Sequence, residues 1–174
     1  ERGPADPFIE MRLSTGGFNF DKLQLKAVGD TGRLNYLVNA SAMKFAGYRD
    51  HSETTDTLLH SRFVYALDDD SELGLVLPAP DHALANDPGS VDRVQARTDP
   101  TSAGQQKVDF DAGEALDQQR IGLSYTKSIG EHHEIRIRNH YVWRNFANKL
   151  PFVDGGAVQF ERFYVGGGAT YTYH

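Results

Sequence analysis

One pattern constrains this chain more than any other: apolar and polar residues alternate with a period of two in eight separate segments. In 8–14, Ile9, Met11 and Leu13 alternate with Glu10, Arg12 and Ser14. In 22–27, Leu23, Leu25 and Ala27 alternate with Lys22, Gln24 and Lys26. In 33–43, Leu34, Tyr36, Val38, Ala40 and Ala42 share a face opposite Asn35, Asn39 and Ser41. In 57–67, Leu59, Phe63, Tyr65 and Leu67 oppose His60 and Arg62, and Leu73, Leu75 and Leu77 follow. After a long gap come Ile121, Leu123 and Tyr125, then Ile135, Ile137, Tyr141 and Trp143, then Phe163, Val165, Ala169, Tyr171 and Tyr173. Successive side chains of a strand point to opposite faces, so this pattern writes half-apolar β-strands and fits no helix.

The connections add direction. Segments 29–32, 68–71 and 128–130 are tight turns rich in Gly and Asp, which tolerate the positive φ of short hairpins. Gly16-Gly17-Phe18 closes the first hairpin. Segments 46–56, 78–115 and 147–156 are long and polar. Short turns at one end and long loops at the other are the habit of outer-membrane β-barrels. The fold class expected is therefore all-β, with antiparallel up-and-down transmembrane strands, the tight turns facing the periplasm. Pro78 and Pro80 are expected to end the fifth strand early, because proline cannot donate to a central ladder.

Composition narrows the classes. No run approaches the ~18 apolar residues of a membrane helix, which excludes a helical span but not a strand crossing. A net charge of -6 over 174 residues argues against a general nucleic-acid binder. There are no cysteines, hence no disulfides and no Cys-ligated metal. Tyr36, Tyr65, Tyr125, Tyr141, Trp143, Tyr171 and Tyr173 fall on the apolar face, where amphipathic rings suit a membrane boundary. Asn139 is the exception on that face.

The opposite face is rich in cations: Arg12, Lys22, Lys26, Arg62, Arg120, Arg136, Arg138 and Arg144, with His140; Glu10 and Glu134 are its main acids. Such a wall can attract an anionic ligand, or bind carboxylates of a domain filling the lumen. From parity, Arg62, Arg120, Arg138 and Arg144 are candidate ligand contacts, and the segment 80–115 adds His82 and Arg93. With 46–55, that segment is expected to shape outer ligand capture.

No enzyme signature has context. Glu131-His132-His133-Glu134 follows a turn and enters a strand, so its histidines diverge. Asp68-Asp69-Asp70 lacks calcium-loop spacing. Gly166-Gly167-Gly168 precedes no helix and so is no phosphate loop; within a strand it suggests bending or close approach of another backbone. No catalytic residue, metal ligand or cofactor is assigned.

The order of several segments resembles a known family. Arg33-Leu34-Asn35-Tyr36-Leu37-Val38-Asn39-Ala40-Ser41, then Gly47-Tyr48-Arg49-Asp50-His51-Ser52, resembles the early barrel of TonB-dependent outer-membrane receptors, nearest the ferric-citrate-like siderophore receptors. Leu67-Asp68-Asp69-Asp70-Ser71, Asn86-Asp87-Pro88-Gly89, Asp117-Gln118-Gln119-Arg120-Ile121-Gly122-Leu123 and Tyr141-Val142-Trp143-Arg144 follow in the matching order. The resemblance implies a 22-stranded barrel plugged by an N-terminal domain that contacts TonB. It implies outer-membrane lipid around the barrel and a ferric chelate or other scarce nutrient as ligand. On that basis 1–7 is expected to be a plug-to-barrel linker and 8–174 a partial barrel. The plug, the remaining strands and a final C-terminal aromatic are not in this sequence. A self-contained eight-stranded barrel with an adhesion, anchoring or structural role, and a soluble antiparallel module, are the alternatives.

Overall fold

The computed structural model describes residues 6–152 and 156–174. Eight strands run β1 Phe8–Gly16, β2 Phe20–Asp30, β3 Leu34–Phe45, β4 Thr54–Asp68, β5 Ser71–Asn86, β6 Gly113–Ile129, β7 His133–Lys149 and β8 Ala157–Tyr173. They form one antiparallel sheet in sequence order, each strand hydrogen-bonded to its neighbours in the chain. Among the described residues β1 pairs only with β2 and β8 only with β7, so the sheet is an open wall and not a closed eight-stranded barrel. The expected linker 1–7 lies mostly outside the described residues.

The register carries the alternation across every strand. One row runs Ile9, Ala27, Val38, Ser61, Leu77. Another runs Leu34, Tyr65, Leu73, Tyr125, Ile137, Ala169. The apolar sets therefore share one face. That face stands open: Ile9 is 82% exposed, Val165 72% and Phe163 68%. The polar face is the crowded, concave one, where Val28 and Val64 are buried to 1% and 7%.

Three connections are tight, at 31–33, 69–70 and 130–132, all at one end of the wall. In the first, Asp30 Oδ1 accepts the Gly32 N–H at 2.6 Å and Gly32 takes φ 86°, the left-handed conformation glycine adopts at no steric cost. At the other end lie the β1–β2 turn and the segments 46–53, 87–112 and 150–156, the last partly outside the described residues. The β1–β2 turn puts both Phe18 (φ 58°) and Asn19 (φ 55°) in the left-handed region, as the tightest hairpins require.

The fifth strand departs from expectation. β5 continues through Pro78 and Pro80 to Asn86, in the middle of the sheet. The two prolines share parity, so both missing N–H groups fall on one flank. The β4 ladder is kept there, with His60 opposite Pro78 and Leu58 opposite Pro80. The β6 ladder lapses between Val76↔Gly122 and Asp81↔Asp117, then resumes in the same register. A proline pair in a central strand is thus absorbed as a local gap in one ladder. The long connection is correspondingly 87–112, not 78–115. It carries two short helices, α1 Gln95–Thr98 and α2 Gln105–Asp109. The strands β4 and β8 also start earlier than their apolar patterns do. No helix among the described residues is long and apolar enough to cross a membrane, which says nothing of strands.

Candidate functional site: the concave wall and its loop platform

Pairing across the sheet puts Arg62, Arg120, Arg138 and Arg144 on the concave face, as parity requires. They are not one cluster. Arg120 and Arg138 line a cavity of about 580 Å³ together with Val76, Ser124 and His140. Its floor is bare at two glycines: a Cβ on Gly168 would meet nothing within 4 Å, and one on Gly122 would touch only Val76. Arg120 and Arg138 are exposed, and no carboxylate lines the cavity. Nearer the first edge, Glu10, Arg12, Gln24, Lys26, Asn39 and His60 line a second cavity of about 420 Å³. There the charge is partly spent, since Arg12 bridges Glu10 at 2.8 Å.

Arg144 lies apart, its Nε donating to Gln118 Oε1 at 2.7 Å. Arg62 sits half-buried beside Leu37 and Val76. His82, expected in a loop, stands on β5, where its Nδ1 meets Asp56 Oδ1 at 2.5 Å. Arg93 lies exposed in the long connection, remote from the wall cations in the chain.

Period-two reading missed one part of this wall. Toward the loop end its concave face turns aromatic, with Phe146 opposite Phe160 and Tyr164 two positions beyond Arg162. An apolar residue on both faces breaks the alternation, so the start of β8 carried no strand signal.

The triple glycine of β8 is also explained. What approaches it is chiefly side chains from β7. The His140 ring lies where a Gly166 side chain would be. The Asn139 amide does the same over Gly167, with the Arg138 carbonyl 2.8 Å from that position. Asn139, the polar exception on the apolar face, is thus folded down against glycine backbone.

The loop platform is tied together more firmly than its length suggests. Arg49, from 46–53, forks into 87–112: Nη1 donates to Gly89 O at 2.5 Å, Nη2 to Pro88 O at 3.2 Å and Ser102 O at 2.8 Å, and Nε to Ser102 O at 2.9 Å. His51 Nε2 bonds Ala112 O at 2.7 Å, and the Asp50 N–H donates to Thr101 O at 2.7 Å. The first hairpin joins through Phe18, whose ring meets Tyr48 edge-on at 5.3 Å and whose carbonyl accepts the Ala46 N–H. Lys149 at the end of β7 reaches Asp111 at 2.5 Å.

Two platform carboxylates titrate below their usual range. Asp87 is held down first by its hydrogen bond from Lys107 and then by the Gly89 N–H. Asp111 is held down by the hydrogen bond and charge of Lys149.

No family model matches the sequence. Among solved structures, the chain is similar to the ferric citrate transporter FecA in its unliganded form. The match has a TM-score of 0.75 and 20% identity, and covers 99% of this chain and 26% of that one. The architecture is accordingly all-β, with antiparallel up-and-down strands that match barrel strands of a FecA-like protein. The chain spans about a quarter of the length of that transporter, 26%.

Proposed function

We propose that the chain is part of the barrel wall of a TonB-dependent outer-membrane receptor that takes up a ferric siderophore or a similarly scarce nutrient. The observation that carries this reading is the two-faced wall. A continuous exposed apolar face suits lipid, and a concave face bearing Arg120, Arg138 and His140 over bare glycine suits an anionic solute or a lumen-filling domain. The likeness of nearly the whole chain to a ferric citrate transporter supports the same reading. On it, 8–174 is barrel and 1–7 the approach from a plug that engages TonB. Arg62, Arg120, Arg138, Arg144 and His82 face the lumen, and Arg93 belongs to the outer capture loops.

The test is deletion of the gene from its source cell. Uptake of radio-iron from at least one ferric chelate should fall under iron limitation, and the protein should fractionate with the outer membrane. Unchanged uptake from every chelate offered, with the protein in the soluble fraction, would sink the proposal.

A further inference from the structure

At one position of the concave face two arginines are cross-strand partners: Arg144 on β7 pairs with Arg162 on β8, Arg144 reaching toward Gln118 on β6 and Arg162 lying over the Phe160 ring. Like charges across a ladder repel. Among the described residues no carboxylate pairs with either of them. Arg144 uses its Nε on Gln118, while its terminal nitrogens make no hydrogen bond among the described residues.

The surroundings are aromatic. The Arg162 guanidinium carbon lies 4.6 Å from the centre of the Phe160 ring and 6.0 Å from that of Tyr164. Phe160 faces Phe146 at 5.2 Å with the rings tilted by 31°. These side chains occupy the inward positions next to the loop end of β7 and β8.

Two unneutralised cations ask for an anion. Three aromatic rings beside these cations ask for a flat apolar face. An aliphatic polycarboxylate such as citrate satisfies only the first demand. An aryl ring with anionic oxygens on its edge satisfies both, its oxygens meeting the guanidinium forks and its faces meeting the phenyl rings. We infer that Arg144 and Arg162, with Phe146, Phe160 and Tyr164, form a recognition site for an anionic aryl chelating group, a catecholate or phenolate. The cargo is then an aryl-type ferric chelate. This assignment of cargo rests on the uptake reading above; the aryl-anion site itself does not.

Calorimetry on the protein as its gene encodes it, in detergent micelles, decides the matter. The probes are iron-free catechol disulfonate, the ferric complex of dihydroxybenzoate, and ferric citrate. The ferric aryl complex should bind about tenfold more tightly than ferric citrate. Arg162→Gln and Phe160→Leu should each weaken aryl binding by about five- to tenfold and leave ferric citrate unchanged, the scale of one stacked or charge-assisted contact. Heat-modifiable gel mobility establishes that the variants are folded, and Arg162→Lys, which keeps charge but not the planar stack, should fall between. Capture of ferric citrate with no response of aryl binding to either variant would overturn the cargo class and leave the uptake reading standing. Capture of no ferric complex would overturn the cargo class, and the uptake reading then stands or falls with the gene-deletion test. Even then, catechol disulfonate that binds and is lost in Arg162→Gln supports the site, and catechol disulfonate that does not bind removes it.

Discussion

Arg49 shows how much one side chain can organise. It is half-buried, and its planar fork reaches three carbonyls of a segment some forty to fifty residues further along the chain. Hydrogen bonds from a charged donor contribute about 1.5–3 kcal/mol each at most, and those from one fork are not independent. Arg49→Ala is therefore expected to lower the opening free energy of 87–112 by roughly 2–3 kcal/mol with global stability little changed. Amide exchange of the segment would measure it, and unchanged protection there would refute the tie. Gly167 makes the opposite case, since a Cβ there would strike both the Asn139 amide and the Arg138 carbonyl. Gly167→Ala should cost about 1–3 kcal/mol in urea unfolding. Asn139→Ala should restore only part of that, because the backbone clash remains. None of these contacts could be read from sequence. Arg49 has no periodic position, and the reason for Asn139 is a partner strand whose register is long-range information.

Among the elements, β5 is where local rules misled. Proline argued for a strand end, yet β5 stays paired with β4 through Pro78 and Pro80, while its β6 ladder lapses across Leu77–Pro80 and shifts register between His82 and Ala85. Replacing Pro80 by Thr supplies the missing donor. A new ladder bond contributes about 0.5–1.5 kcal/mol, and the freed unfolded chain costs about 0.4–1 kcal/mol, so net stability should barely move. The distinguishing result is a new slowly exchanging amide at position 80; rapid exchange there would mean the gap has another cause. The β-strands with clean alternation, such as β1 and β2, were legible throughout. At the start of β8, where Val158 and Phe160 sit on the face opposite Phe163, the pattern was silent although the strand is equally regular. The platform has its own chemistry. Asp87 and Asp111 have depressed folded pKa values, so the stability they lend is present above the unfolded carboxylate pKa and is lost as pH falls through the lower folded values. Amide exchange in 87–112 should therefore accelerate, after correction for intrinsic rates, as pH falls below about 4, while the strands hold. Asp111→Asn should remove part of that acid dependence; an unaltered profile would leave these pairs without a role in it.

For the whole molecule the deciding property is that the two faces meet different surroundings. If the apolar face meets lipid, Ile137→Arg should cost about 2–4 kcal/mol, as cations do near the middle of a bilayer-facing belt. Thr170→Arg, on the concave face, should cost far less. Equal costs, measured by denaturant titration in lipid vesicles, would argue for water on both sides. Fold class was legible because period two survives the local irregularities, including the register shifts that flank β5, and neighbouring strands pair in sequence order across the sheet. The site was legible only as a parity: the sequence placed Arg120 and Arg138 on one face, but that they share a cavity with His140 over bare glycine depends on pairing between β6, β7 and β8.

The fork of Arg49 ends on main-chain oxygens, and so does the bond from His51. Every residue type supplies that same oxygen. At these ties the long loop is held by what its residues have in common, while the carboxylate pairs of Asp87 and Asp111 fix it by side chain. Mutation can therefore rewrite much of the chemistry displayed on 87–112 while Arg49 and His51 still hold its frame.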